Sequence, residues 1–335
     1  MAGYQNIRLE KGMYQVAGKG FARVLEELDP SAQYQNTELE GLDAYQRQLK
    51  RFGIRVSGAG SDSVEKFFAA TDSAALFPEY VARAVKQGIA EADVLSRIVA
   101  TKTVIDGMDY RSIASVPTAD AKALRRVAEG AQIPETAVKT QENLVKLYKR
   151  GRMLVASYEA VRFAKLDLFT VTLRQIGAYI ARAQLDDAVR VLTDGDGNNN
   201  AITDVATGTA GSVSYADLVA LWQSLDPYAL NTLIASPAMV ARLLCITELK
   251  DAAAGLNFQG TGRLITPLGA DMVKANAAEN SIIGLDKGFA LEMVCAQEVN
   301  IDYDRLIDRQ LERAAVTSIA GFAKIFTDAA KRLVP

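Results

Sequence analysis

The chain of 335 residues contains no histidine. Without imidazole it has no Ser-His-Asp or Cys-His nucleophile, no histidine base near neutral pH and no histidine-ligated metal. It has two cysteines, Cys245 and Cys295, each in an apolar stretch (RLLCIT and EMVCAQ). We interpret both as buried small hydrophobes rather than as a disulfide or a reactive thiol. These scarcities exclude many classes of enzyme.

Long apolar runs and an excess of one charge are also missing. No apolar run approaches the ~20 residues needed to cross a bilayer, and the N-terminal MAGYQNIRLEKG lacks the apolar core of a signal peptide. The formal net charge of −2 argues against a dedicated nucleic-acid binder. The composition, 49% hydrophobic and 23% charged, is that of a globular protein in cytosol-like surroundings.

The most prominent element is a proline-free stretch from Ser157 to about Leu192. Ser157 is a suitable N-cap, and the DGDGN sequence that starts at Asp194 is a stop signal, so we predict one long helix. At ~1.5 Å per residue it would be on the order of 50 Å long and would need a broad surface to pack on. Its apolar positions follow helical spacing but no strict heptad, which disfavours a coiled coil. They are Leu168, Phe169, Leu173, Ile176, Tyr179, Ile180 and Ala183.

The first 75 or so residues are polar, with short amphipathic helices predicted at Phe21–Leu28 and within Gly41–Phe52. Neither has enough apolar surface for a core, so we expect an arm that lies on something else, in particular another copy of the chain. From Leu76 a short helix is predicted, with Pro78 in its first turn and Gly88 at its end.

Residues Tyr110 to Arg152 predict a long antiparallel hairpin whose middle contains Gly130 and Pro134. It is too polar to be buried on either face and would be marginal alone, so we expect another copy of the chain to cover it. Its cations form either a solvated face or intersubunit ion pairs with acidic patches such as Glu26-Glu27 or Asp186-Asp187. The candidate contact residues are Arg125, Arg126, Lys139, Lys146, Lys149 and Arg150, with Arg152 beside them.

The C-terminal half predicts a mixture of helices and strands. We expect a helix capped by Ser214, a buried strand at Thr232–Ala235, and a helix from the Ser236-Pro237 cap to about Leu249. Asp308 to Phe326 predicts a long strand pair bent at Gly321, followed by a last helical turn at DAAKRL. The absence of strict βαβ alternation indicates an α+β fold with a largely antiparallel sheet.

Two stretches imitate ligand sites. Gly58 to Ser63 resembles a dinucleotide-binding turn, but Ser63 takes the third glycine position and no second βαβ unit follows, which favours an ordinary turn. Asp194, Asp196 and Asn198 alternate as in a calcium loop, but the sixth-place glycine and twelfth-place glutamate are missing. We therefore predict no metal site and keep these three residues as weak candidates.

The order of these parts resembles a tailed-bacteriophage major capsid protein with the Hong Kong 97-like fold. The stretches that carry the resemblance are LFPEYV, the hairpin with EGAQIPE, the long helix, TLIASPAMVARLLCITELKD, PLGADMV and ERAAVTSIAGFAKIF. It implies an N-terminal arm (1–108), an extended hairpin, or E-loop (109–152), a peripheral domain with the long spine helix (153–210 and 300–335), and an axial domain (211–299).

The resemblance also implies a function. Such a chain self-assembles as hexamers and pentamers into an icosahedral shell that encloses double-stranded DNA, which it contacts non-specifically. Portal and scaffolding proteins, and in some shells a decoration protein, are its other partners. It would be located in the virion after assembly in the host cytoplasm, without membrane, cofactor or enzymatic activity. No position matches the motif of the Lys-Asn cross-link of some members, for which Lys139 or Lys146 with Asn276, Asn280 or Asn300 would be the candidates.

Two alternatives stay open from the sequence. One is the shell of a cellular nanocompartment with the same fold, which would hold a cargo enzyme and no DNA. The other is a nucleotide- or cation-dependent enzyme that uses Gly58 to Ser63 or Asp194 to Asn200.

Overall fold

The computed structural model describes residues 4–16, 19–114, 126–133, 139–157, 159, 163–250, 268–306 and 311–335. The helices are α1 (Phe21–Leu28), α2 (Ala44–Arg51), α3 (Thr71–Ala74), α4 (Phe77–Ala92), α5 (Leu166–Asp194), α6 (Tyr215–Ser224), α7 (Pro237–Leu244) and α8 (Thr247–Lys250). The strands are β1 (Thr101–Val104), β2 (Ile113–Ala114), β3 (Lys139–Thr140), β4 (Leu147–Ser157), β5 (Thr203–Ala206), β6 (Thr232–Ala235), β7 (Asp271–Lys274), β8 (Ile282–Leu285), β9 (Leu291–Leu306), β10 (Leu311–Lys324) and β11 (Ala330–Val334). Within these ranges no helix has the length and apolarity required to span a membrane.

The strands form sheets with the orders β1-β9-β10-β4, β5-β11-β8-β6-β7 and β2-β3. β1 runs parallel to β9, β5 to β11 and β6 to β7, whereas β8 is antiparallel to both β6 and β11. Helices combined with such sheets confirm the α+β class. The pairing is more mixed than the largely antiparallel arrangement that the sequence predicted.

The chain divides into two compact units, of which the first contains Met1–Ala92, Gly151–Ile180 and Val299–Ser318. Its core includes Phe21 and Leu25 of α1 and Leu49 of α2, packed with residues of α4 and α5 such as Val85 and Leu173. The expectation that the N-terminal residues need another copy of the chain is therefore wrong for the described residues. The amphipathic helices were recognised correctly, but α4 and α5 of the same chain complete their core.

The long helix begins later than predicted. β4 extends to Ser157, so this residue ends a strand, and α5 begins at Leu166 and ends at Asp194, beside the predicted stop. On its core face Leu173 and Ile176 are buried, whereas Leu168 and Tyr179 of the predicted stripe are 69% and 48% exposed.

The contact of α4 with α5 explains why α4 continues past Gly88, its predicted end. A Cβ on Gly88 would overlap the carbonyl of Arg174, and a Cβ on Gly177 would overlap the carbonyl of Val85. Gly88 therefore serves as an interior contact that allows two helix backbones to approach closely, and it does not end the helix.

The second unit contains Asp93–Arg150, Ala181–Glu298 and Ile319–Pro335. All four residues of β6 are buried, and the hydroxyls of Ser236 and Ser214 accept hydrogen bonds from Met239 N–H and Asp217 N–H, which confirms both predicted caps. The predicted last helical turn is wrong, because Ala330–Val334 pairs as a strand between β5 and β8. Of the two free cysteines Cys295 is buried as predicted and Cys245 is exposed, contrary to the prediction.

Candidate functional site at the base of the hairpin

The two legs of the predicted hairpin pair antiparallel, with Ile113 opposite Thr140. Gln141 N–H donates to the carbonyl of Ser112 at 2.8 Å, and Val145 N–H donates to the carbonyl of Tyr110 at 2.9 Å. Residues 115–125 and 134–138, which include Arg125 and Pro134, lie outside the described residues. What the structure shows is the base of the hairpin, which we define as residues 110–114 and 139–147.

The first leg is held by a buried carboxylate of β9. Glu292 is 5% exposed and accepts hydrogen bonds from the hydroxyls of Thr103, Tyr110 and Ser112, the one from Tyr110 at 2.8 Å. Partial burial and this hydrogen bond to an anion raise the pKa of the Tyr110 hydroxyl. Three hydroxyl groups therefore converge on one anion and hold the first leg against the sheet.

The second leg is held by the loop that follows α5. Asn143 N–H donates to Asn198 Oδ1 at 2.9 Å, and Asn143 Nδ2 donates to the carbonyl of Gly197 at 2.7 Å. Asn198 Nδ2 donates to Gln141 Oε1, and Gln141 Nε2 donates to Asp196 Oδ2, each at 3.1 Å. The structure thus joins the hairpin to the stretch that resembles a calcium loop, two features that the sequence presented separately.

Asp196 is 8% exposed and is surrounded by N–H donors. Besides Gln141 it accepts from the backbone N–H of Lys324 at 2.9 Å, and both N–H groups of Asn198 donate to it. These donors occupy the oxygens that a cation would need, and the described ranges contain no cluster of three or more acidic or cysteine residues able to hold a metal ion. The side chains of Asp196 and Asn198 hold the hairpin, while Asp194 lines a cavity of about 720 Å³ with Arg190 and Arg242.

Lys324 of β10, whose N–H donates to Asp196, is 1% exposed. Its Nζ donates to the carbonyl of Leu192 in the last turn of α5 at 3.1 Å, and its own carbonyl accepts from Gln141 Nε2 at 2.9 Å. Burial, only partly offset by the Asp196 carboxylate, lowers the pKa of the Lys324 ammonium to about 8. The Lys324 ammonium is thus buried beside the last turn of α5, and the hairpin contacts Lys324 through its backbone carbonyl.

The predicted contact residues differ in their surroundings, because one forms an ion pair within the chain and others are exposed. Arg150 Nε donates to Asp187 Oδ2 at 3.0 Å and Nη2 donates to Oδ1, so this pair, expected between subunits, forms within the chain. Arg126, Lys139, Lys146 and Lys149 are exposed, and no acidic side chain in the described ranges pairs with them. Arg125 lies outside those ranges.

The stretch that imitates a dinucleotide site has another role. Asp62 accepts from Arg55 N–H at 2.7 Å, Lys165 Nζ donates to the carbonyl of Ser61 at 3.2 Å, and a 3₁₀ turn at Val64–Phe68 follows. These residues form neither the strand nor the α-helix of a nucleotide-binding unit, so the turn joins the start of α5 and offers no phosphate cradle.

A family model described as "Phage capsid protein" matches residues 139–322, which is over half of the chain. The chain belongs to the phage capsid protein family. It is a major capsid protein, a structural protein of an icosahedral bacteriophage capsid that associates with copies of itself and is located in the virion. The match includes the second leg of the hairpin and the loop that holds it.

Solved structures show the same fold at low sequence identity. The virus-like particle from Pyrococcus furiosus matches with a TM-score of 0.52 and 14% identity, over 77% of this chain and 99% of that one. The capsid of a native GTA particle matches with a TM-score of 0.53 and 16% identity, over 72% and 89%. These matches confirm the predicted Hong Kong 97-like capsid fold. No curated protein matches the chain.

The sequence interpretation missed Glu292, Gln141, Asn143 and Lys324. A signal was present for two of them, because Glu292 interrupts the apolar run GFALEMVCA and Lys324 interrupts AGFAKIF. A charged residue inside an otherwise buried strand indicates a paired or hydrogen-bonded role. Gln141 and Asn143 lie in a polar stretch that carries no such signal.

Proposed function

We propose that the hairpin is the main contact between copies of this capsid protein. Through it the chain assembles as hexamers and pentamers into a shell that encloses the double-stranded DNA of a tailed phage, in the host cytoplasm and together with portal and scaffolding proteins. The family membership supports self-association. The surface of the hairpin supports the choice of contact.

The observation that carries the proposal is a set of exposed apolar side chains on and beside a hairpin whose base is anchored by hydrogen bonds. The most exposed of them, Ile133, is 72% exposed, although a fully buried side chain of this size contributes ~1.5–3 kcal/mol. Exposed apolar side chains along one hairpin are typical of a protein contact. They are Met108, Ile113, Ile133, Leu144 and Tyr148.

A second apolar surface offers a complementary partner. On α5, Leu168, Val171 and Tyr179 follow helical spacing and are 69%, 51% and 48% exposed, and Phe163 just before the helix is 75% exposed. In the proposed assembly the hairpin of one copy packs across this face of the next copy. The exposed hairpin cations then add ion pairs of ~0.5 kcal/mol each with acidic groups of the neighbour.

Matched surface variants test this arrangement. We expect the purified chain to form closed shells, measured by sedimentation velocity and negative-stain electron microscopy, and Ile133→Asp and Leu168→Asp to give folded but unassembled chains. Leu28→Asp is the control, because Leu28 is 52% exposed on α1, outside both surfaces, and should still assemble. Normal shells from both test variants would refute the hairpin contact. A wild-type chain that stays monomeric at high concentration in all conditions would refute assembly through any contact.

The contents of the shell are a separate question. We expect particles recovered from phage-producing cells to contain nuclease-protected double-stranded DNA. A lumen that holds a cargo enzyme and no DNA would instead support the nanocompartment alternative.

A further inference from the structure

Different helices cover the two faces of the five-stranded sheet in the second unit. Val189 of α5 shares a core cluster with Ile234 of β6. Leu221 of α6 and Leu243 of α7 share another cluster with Leu233, the preceding residue of the same strand. Because successive side chains of a strand point to opposite faces, α6 and α7 lie together on the face that α5 does not cover. These two helices, residues 215–224 and 237–244, are named the α6–α7 layer.

The outer surface of the α6–α7 layer carries little charge. The charged residue of α6, Asp217, is 8% exposed, and its carboxylate accepts hydrogen bonds from the N–H groups of Gly208 and Ser214. The charged residue of α7, Arg242, is exposed and lines the cavity of about 720 Å³. The other exposed residues of the layer are alanines, one proline, one glutamine and three larger apolar residues. The larger residues are Val219, Trp222 and Leu244, which are 37%, 52% and 38% exposed.

An outer helix face with so little charge is unusual in a protein surrounded by water. The helix α4, by comparison, has Lys86 and Glu91 among its exposed residues. Trp222 is the only tryptophan in the chain, and Val219 lies three residues before it, so the two are neighbours on one helix face. Tryptophan is enriched in the buried centre of protein interfaces, where charged residues are depleted. The layer therefore has the composition of a contact surface.

The symmetry of a shell requires a second contact between copies. In the proposed assembly the hairpin of one copy packs on a different surface of the next copy, and repetition of one such contact gives a ring or a filament. Copies in an icosahedral shell are related by several rotation axes, so at least one further contact surface is needed. The α6–α7 layer suits another copy of the chain, because identical copies carry the same charges and a surface almost free of charge brings few like charges together.

Building on the proposed hairpin contact, we propose that the α6–α7 layer is a second docking surface, whose occupant is another copy of this chain. Trp222 and Val219 form the centre of this surface, and Leu244 extends it onto α7. Neither α6 nor α7 takes part in the proposed hairpin contact, so the layer adds a separate contact to the assembly.

Trp222 is a built-in probe of this contact. Because the chain has a single tryptophan, fluorescence excited selectively in tryptophan comes from the layer alone. When the purified wild-type chain assembles, this emission should shift to shorter wavelength and its quenching by acrylamide should be largely lost. Cys245, directly after α7, supplies a second readout, because it is exposed whereas Cys295 is buried. The rate at which maleimide labels Cys245 should also fall on assembly.

Matched variants test the part that Trp222 plays in assembly. Trp222→Lys should raise the protein concentration needed for assembly at least about 30-fold, because loss of a central interface tryptophan commonly costs ~2 kcal/mol or more. Trp222→Phe keeps an aromatic side chain and should assemble at a lower concentration than Trp222→Lys. Leu28→Lys is the control, since Leu28 of α1 is also 52% exposed and should assemble like the wild type. Thermal unfolding of the unassembled chains checks that each variant is folded.

Closed shells in which acrylamide quenches Trp222 as it does in the unassembled chain would overturn the proposal, and so would normal assembly of Trp222→Lys. Protection that occurs only in particles from phage-producing cells would assign the layer to a different protein and would overturn it too. The hairpin contact is judged separately, because shells formed by Ile133→Asp and not by Trp222→Lys would refute the hairpin contact alone. A wild-type chain that forms neither rings nor shells would refute both contacts.

Discussion

Replacing Glu292 by alanine should detach the first leg of the hairpin. Its carboxylate accepts three hydroxyl hydrogen bonds, from Thr103, Tyr110 and Ser112, and these join β1, β9 and the leg at a single point. The leg keeps its backbone bonds to the second leg, so the change loosens the base without removing the hairpin.

The free-energy cost of Glu292→Ala depends on how far water can replace the lost hydrogen bonds. Hydrogen bonds to a charged group contribute ~1.5–3 kcal/mol each, but removing a buried carboxylate also removes its desolvation cost of several kcal/mol. The hydroxyls of Thr103 and Tyr110 are on half-buried residues and can reach water, whereas Ser112 is 1% exposed and would lose its acceptor. The net loss should be ~3 kcal/mol, a roughly 150-fold increase in opening of the base.

Exchange of the Gln141 and Val145 amides, which donate to the first leg, measures this opening. Glu292→Gln keeps one oxygen acceptor and should increase opening by roughly 10-fold. Glu298→Ala on the same strand is the control, because its ion pair with Lys102 is exposed and contributes less than ~0.5 kcal/mol. Equal exchange in Glu292→Ala and Glu298→Ala would show that the carboxylate does not hold the leg.

Two further predictions concern the first unit. Arg47→Met should lower the free energy of unfolding in urea by ~3–5 kcal/mol, because it leaves Asp29, which is 1% exposed, buried without its cation. The double variant with Asp29→Leu should recover much of this loss. A double variant that recovers none of it would show that the unpaired Asp29 charge is not the cause. Gly177→Ala should lower the free energy of unfolding by ~1–3 kcal/mol, although alanine has a helix propensity ~1 kcal/mol better than that of glycine. Thermal unfolding measures this loss, and Gly12→Ala is the control because a Cβ on Gly12 meets no atom within 4 Å. Equal melting temperatures of the two variants would contradict the close helix contact.

Elements whose signals are local were predictable from the sequence. α1 was predicted with its observed bounds, and β6 was recognised from a short apolar run before the Ser236-Pro237 cap. In each case the deciding contacts lie within a few residues. The prediction that Gly88 ends α4 was wrong for the opposite reason. The carbonyl of Arg174, which Gly88 contacts, is distant in sequence, and a rule about helix ends takes no account of such contacts.

The start of α5 shows how a correct local signal can lose to tertiary structure. Ser157 satisfies the rule for a helix start, yet β4 continues through this residue. Backbone pairing in a sheet satisfies the donors and acceptors of this strand, and a cap contributes only ~1 kcal/mol. The start of α5 is instead fixed by a residue distant in sequence, because the N–H of Leu166 donates to the backbone carbonyl of Asp62.

The candidate site was least predictable because nearly all of its contacts are non-local. Tyr110 and Glu292 are 182 residues apart, and Gln141 and Lys324 are 183 apart. The sequence did identify the hairpin and the DGDGN loop as unusual, but it assigned them to different roles. Only the fold shows that the side-chain oxygens which make this loop resemble a calcium site accept hydrogen bonds from N–H groups of the hairpin.

The two parts of the hairpin suit different physical tasks. Hydrogen bonds depend steeply on distance and angle, so the polar base at Glu292 and Asp196 can specify one direction for the hairpin. The apolar contacts proposed between copies, such as those of Ile133, are non-directional and tolerate small shifts. In a closed shell the same chain must fit neighbours at slightly different angles, which a directional contact surface would resist. A hairpin with a directional base and a non-directional surface meets both demands.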